Sequence, residues 1–216
     1  MNAYFISGLG ADEQMFVKTV LPAGFTICHL NWIRPLAEES FSTYAHRLSE
    51  SIDNSKPYIL VGLSLGGMIA IEMNRFLQPV YTIIISSVTN SKGLPFWFKV
   101  AGYTRVYKII PDYFYHHSNF MATWLLGAQT RQDKKRLSKV MQKADPYFVK
   151  WAIPRILQWD NQFIPLCLSH IHGTKDVILP YRPNPKTIAV EGGTHFMVYN
   201  RAAQVNHILA EILKDL

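Results

Sequence analysis

The chain has 216 residues, enough for one domain with a sizeable buried core. With 49% hydrophobic and 17% charged residues it has the composition of a globular protein, and no apolar run approaches the ~18 residues of a membrane span. The net charge of +7 would suit a nucleic-acid binder if it were spread out, but between Ser91 and Asn161 twelve Lys/Arg stand against four Asp/Glu, while the remainder holds ten basic and eleven acidic residues. The first residues, Met1 to Ser7, read directly as a strand, without the basic start and long apolar stretch of a signal peptide, so a cytoplasmic protein is expected. The two cysteines, Cys28 and Cys167, each sit in an apolar run and are expected to be buried small hydrophobes rather than a disulfide or metal pair.

Asn2–Ser7 is a short apolar strand that ends at Gly8-Leu9-Gly10, and a helical stretch is expected from about Asp12, which can cap it. Phe25–Asn31 is a second strand. Ser40 is a candidate N-cap for a helix to about Ile52, with Phe41, Tyr44, Ala45, Leu48 and Ile52 at helical spacing. Pro57–Val61 is a third strand, Leu65–Phe76 an apolar helix, and Val80–Ser86 a fourth strand. Continuous apolar strands alternating with helices predict a mostly parallel sheet covered on both faces. The alternation stops at Ser91. Up to Asn161 the chain is aromatic and basic, and reads as short helices and loops with one clear helix near Arg131–Lys143. Strands resume at Pro165–His172 and Lys186–Glu191, and a helix from Ala202 to Leu213 closes the chain. The expected organisation is an α/β core of residues 1–90 and 162–216, interrupted by a helical insertion over 91–161.

The chemistry concentrates on Gly62-Leu63-Ser64-Leu65-Gly66, a G-x-S-x-G motif. The motif has meaning only on a strand-to-helix turn, and Tyr58–Val61 and Met68–Ile71 supply the strand and the helix. A serine hydroxyl is a poor nucleophile at neutral pH. It needs a base within hydrogen-bond reach, and the base needs an acid to orient it. In this architecture the order along the chain is serine, acid, histidine. Asp176 follows the strand ending at His172, and His195 follows the strand ending near Glu191, both on loops at C-terminal strand ends, where open parallel sheets bind ligands. Taken singly, Asp176 could cap a short helix at Val177–Pro180 and His195 could be a satisfied surface histidine. Their order and placement together point to a triad. His172 is a candidate to hold the Asp176 loop. Acyl transfer also needs donors for the developing oxyanion. The backbone N–H of Leu65 is one candidate, and that of Leu9, in the loop after the first strand, is the second. Gly8-Leu9-Gly10 lacks the third glycine of a dinucleotide fingerprint and the Lys-Ser/Thr of a P-loop, so nucleotide binding is not expected.

Together the Ser7–Gly10 loop, the Gly62–Gly67 elbow, His172-Gly173-Thr174-Lys175-Asp176 and Gly193-Thr194-His195 resemble the α/β-hydrolase superfamily over nearly the whole chain. The resemblance implies an α/β-hydrolase fold of about six mostly parallel strands flanked by helices, with a helical cap inserted before the acid-bearing strand. Residues 91–161 match that cap in position and character. Two departures stand out. Members often carry His-Gly where this chain has Ser7-Gly8, which leaves the support of the oxyanion loop open. The chain also begins at what resembles the superfamily's third strand.

The expected function is a carboxylic-ester hydrolase acting through a Ser64 acyl-enzyme, with His195 as base and Asp176 as orienting acid. Alternatives are a thioesterase or other acyl hydrolase, and a non-catalytic small-ligand receptor. No cofactor and no metal is implied. The expected partner is a small acyl ester, with no nucleic acid and no transmembrane segment. In the cap, the aromatics are expected to build a local core and line an apolar pocket over Ser64. Arg131, Lys134, Lys135, Arg136, Lys139 and Lys143 are expected on a solvated helix face, which would favour an anionic substrate or surface.

Overall fold

Among the described residues the apolar runs assemble into one sheet of six strands: β1 Asn2–Ile6, β2 Thr26–Leu30, β3 Tyr58–Leu63, β4 Tyr81–Ile85, β5 Leu168–Gly173 and β6 Thr187–Val190. The structure, a computed structural model, describes residues 1–109 and 126–216. The strands lie in the order β2-β1-β3-β4-β5-β6, and every neighbouring pair is parallel. Because side chains alternate across a strand, successive residues feed two separate cores. Tyr4, Ile6, Tyr58, Leu60 and Ile84 pack on one face, and Ala3, Phe5, Ile59, Val61 and Ile83 on the other. Both faces are dry, which is why β1, β3 and β4 are uninterrupted apolar sequence.

Helices α1 (Phe41–Ser49) and α2 (Leu65–Met73) cover the first face. Ser40 caps α1 as expected, its side chain accepting from Thr43 N–H. The helix expected from Asp12 is a single 3₁₀ turn, Glu13–Phe16. Asp12 accepts from Gln14 N–H, and Met15 and Phe16 are buried in the second core. That core is also covered by the helical turn α6 (Met197–Asn200) and by α7 (Ala202–Leu213).

Between β4 and β5 the chain leaves the sheet for helices α3 (Phe96–Thr104), α4 (Arg131–Met141) and α5 (Pro146–Leu157). Helix α4 is the expected basic helix, begun by a Thr130–Asp133 capping box. Helix α5 was not read from the sequence. Its start carries a clear signal, Asp145 capping with Pro146 in the first turn, but Pro154 looks like a breaker. It stands near the helix end, where only the final turn follows. The two helices serve opposite cores: Leu137 and Val140 of α4 join the second, and Phe148, Trp151 and Ala152 of α5 join the first.

Three further expectations need correction. Cys167 is exposed, because β5 starts one residue later, and Cys28 is half-buried; both are free thiols. Arg136 does not share the solvated face of Lys134, Lys135 and Lys139. It donates to the carbonyl and side-chain oxygens of Gln14 (3.0 and 2.7 Å) and lies over Tyr199. The cap aromatics are divided. Phe148, Trp151 and Trp159 are buried, whereas Phe96, Trp97 and Tyr103 are exposed. Tyr113, Phe114, Tyr115, Phe120 and Trp124, with His116 and His117, lie outside the described residues.

Candidate active site

The chain runs from β1 to one side, into β2, and then returns to the other side of β1 to form β3. That reversal opens a crevice at the C-terminal ends of β1 and β3, the place where open parallel sheets bind ligands. Ile6 pairs with Gly62, so the Gly8 loop and the Ser64 elbow leave the sheet side by side. A Cβ added to Gly8 would lie 3.4 Å from the Ser64 Cβ.

Ser64 joins β3 to α2 with φ 52° and ψ −116°, a conformation that L-residues avoid. Bonds on both sides of the residue hold it there. Its N–H donates to Ile85 O at 2.9 Å, and its carbonyl accepts from Gly67 N–H at 2.9 Å and Ser87 Oγ at 2.7 Å. The glycines of the motif are required by close approach: a Cβ on Gly62 would overlap the Gly66 carbonyl, and one on Gly66 would overlap the carbonyls of Ile6 and Ser7. Ser87 carries no motif and was not singled out from sequence. Only the fold brings it under the elbow.

The structure brings Ser64, His195 and Asp176 into one hydrogen-bonded chain. His195 Nε2 lies 2.9 Å from Ser64 Oγ, and its Nδ1 lies 2.7 Å from Asp176 Oδ2. Ser64 is half-buried, and the histidine and aspartate are buried. Asp176 also caps the turn that follows it, Oδ1 accepting from the N–H groups of Ile178 and Leu179 at 2.9 and 3.0 Å. No helix forms at Val177–Pro180; Oδ1 caps a bend there instead, while Oδ2 faces His195. Burial opposes the charge on Asp176, but His195 and these hydrogen bonds outweigh it and hold the carboxyl below the usual carboxylate range.

A second layer lies behind the aspartate. His172 Nε2 is 2.7 Å from Leu179 O and 3.5 Å from Asp176 Oδ2, so it braces the acid loop. A carbonyl only accepts, so Nε2 carries the proton and Nδ1 accepts from His170 Nε2 at 2.7 Å. His170 Nδ1 in turn accepts from Thr187 Oγ1 at 3.1 Å. Burial depresses both histidines, His170 to about 3, where His172 adds to the effect. His170 carries no motif of its own; its pairing with Thr187 across the sheet and its place two residues before His172 put it here.

Leu65 is the first residue of α2, so its N–H has no acceptor within the helix and is available at the elbow. Leu9 follows Gly8 beside Ser64. A cavity of about 310 Å³ borders this loop, lined by Ser7, Gly10, Trp32, Arg34, Lys143 and Phe148. It lies between the loops after β1 and β2 and the insertion, and it is not the apolar pocket expected over Ser64. Among the described residues no His, Cys, Asp and Glu cluster in a way that could hold a metal ion. No helix among them is long and apolar enough to cross a membrane.

The sequence matches the profile of the Alpha/beta hydrolase family over residues 5–208. No curated protein matches it at a significant level. Solved structures share its fold at low identity. A thermophilic esterase from Thermogutta terrifontis, solved with malate bound, superposes with a TM-score of 0.75 at 14% identity, covering 100% of this chain and 90% of the other. MenH from S. aureus gives 0.76 at 12% identity, covering 100% and 94%. Est816, described as an N-acyl homoserine lactone degrading enzyme, gives 0.69 at 17% identity, covering 97% and 92%. With a profile match over nearly its full length and a six-stranded parallel sheet carrying a serine elbow, the chain belongs to the alpha/beta hydrolase family.

Proposed function

We propose that the protein hydrolyses carboxylic esters of small molecules through an acyl-enzyme on Ser64. The observation that carries this reading is the Ser64–His195–Asp176 chain, with contacts of 2.9 and 2.7 Å, at the crevice between β1 and β3. His195 takes the Ser64 proton as the hydroxyl attacks the carbonyl, and Asp176 fixes the ring so that Nε2 faces the serine. The N–H groups of Leu65 and Leu9 stabilise the oxyanion. His195 then returns the proton to the leaving alkoxide, and a water activated the same way releases the acid. The insertion serves as the cap of the enzyme, its described helices packing on both cores beside the site, and the cytoplasm is the setting in keeping with two free thiols.

The test compares wild type with Ser64→Ala on p-nitrophenyl esters of short and medium chain length. Loss of a triad nucleophile costs about 10⁶-fold in kcat, so the variant is expected to be inactive. A fully active Ser64→Ala protein would overturn the assignment. A wild type inactive on every ester but active on thioesters would move the reading to a thioesterase.

A further inference from the structure

We infer that Trp32 is a positioning residue for the oxyanion donor Leu9, acting through the peptide bond between Gly8 and Leu9. The inference rests on the proposed hydrolase reading and deepens it. The C=O of Gly8 and the N–H of Leu9 belong to one planar trans unit and point in opposite directions. Whatever holds the carbonyl therefore aims the N–H. Gly8 O accepts from Trp32 Nε1 at 3.2 Å and from Ala11 N–H at 3.1 Å. The same indole N–H is shared with Ala11 O at 3.0 Å, which also accepts from Ser7 Oγ at 2.6 Å. One donor thus ties both ends of the Gly8–Ala11 turn.

The turn needs such a tie. It contains Gly8 and Gly10, the latter at φ +66°, and glycine imposes little backbone restraint of its own. The side of Gly8 where a Cβ would stand lies against Ser64, so a rotated peptide here changes the donor's place in the site. Trp32 is itself held. Its ring packs against Phe148 (centroids 4.9 Å apart) and Tyr44 (6.3 Å), and the next residue, Ile33, exchanges two hydrogen bonds with the Tyr44 hydroxyl at 2.9 and 3.1 Å. An anchor from the loop after β2 thus supports the oxyanion loop that begins with Ser7-Gly8 here. Phe148 belongs to α5, so the insertion contributes to the same support.

The experiment replaces Trp32 by Phe, and separately by 3-benzothienylalanine, which keeps the indole shape with sulfur in place of N–H. Removing an oxyanion donor outright costs about 10²–10³-fold in kcat, and loosening one is expected to cost about 10-fold. Both variants should lose kcat by that factor on a p-nitrophenyl ester with KM within about twofold of wild type. Affinity for a phenylboronic acid, which forms a tetrahedral adduct on Ser64, should fall by the same factor. A benzothienylalanine variant with wild-type kcat and boronate affinity overturns the inference, whatever Trp32→Phe does, because only the N–H has been removed. A loss confined to KM overturns it as well. A wild type that turns over no ester and forms no boronate adduct overturns the hydrolase reading, and this inference with it.

Discussion

Ser64 occupies a backbone conformation costing about 1–3 kcal/mol relative to an ordinary one, and the surrounding bonds sustain it. Three of them converge on its carbonyl, from Gly67 N–H, Met68 N–H and Ser87 Oγ. Ser87→Ala removes the shortest of the three. It is expected to lower stability by about 1 kcal/mol and kcat several-fold, read from urea unfolding and initial rates; unchanged values for both would mean the two remaining donors suffice. Gly66→Ala is a harsher change. Its Cβ would overlap the backbone carbonyls of Ile6 and Ser7 at the end of a central strand, where neither group can rotate away. The expected outcome is loss of folded protein on expression, measured by soluble yield and circular dichroism.

The insertion is riveted to the core by two indoles. Trp151 Nε1 donates to Glu39 O at 3.1 Å, and Trp159 Nε1 donates to the buried carboxylate of Glu72 on α2 at 2.7 Å. Trp159→Phe leaves that carboxylate short of a donor while keeping an aromatic ring beside Phe41. A stability loss of about 1–3 kcal/mol is expected from denaturant unfolding. Strand β5 makes the acid limb of stability predictable. Burial lowers the folded-state pKa of both His170 and His172, while in the unfolded chain each takes up a proton near pH 6.5. Stability is therefore full above pH 6.5 and falls as pH drops, by up to about 1.4 kcal/mol per pH unit for His170, with His172 acting in the same direction. For His170 the fall continues to about pH 3. Asp176, depressed in the fold, adds a further loss only below about pH 4, as the pH falls through its folded value. His170→Gln should give a shallower slope of unfolding free energy between pH 6 and 4. An unchanged slope would assign the acid limb to other groups.

Across the whole molecule, charge separates along the chain. The surplus positive charge lies between Ser91 and Asn161, and Lys134, Lys135 and Lys139 stand exposed on α4. Such a field attracts anions within about 10 Å at 0.1 M salt. Replacing the three lysines by alanine is expected to raise KM several-fold for an ester with a free carboxylate and to leave KM for a neutral ester unchanged. The difference should shrink in 0.5 M salt, and equal effects on both esters would rule out a role for the field.

Much was legible from local pattern alone. Continuous apolar runs marked strands buried on both faces, and Gly62–Gly66 on a strand-to-helix junction marked the elbow. Asp176 and His195 were candidates because each follows a strand in the order serine, acid, histidine. These signals depend on neighbours in sequence: the period of side chains, the turn residues, the spacing of a motif. The rest depended on which strand ends become neighbours. Trp32 lies 24 residues from Gly8, and its partners are backbone carbonyls, which leave no trace in residue type. Ser87, the His170–His172 pair, the inward turn of Arg136 and the opposite sidedness of α4 and α5 are of the same kind. Strand order and register decide each of them, because a hydrogen bond forms where the folded chain brings a donor and an acceptor together, and local periodicity carries no record of that meeting.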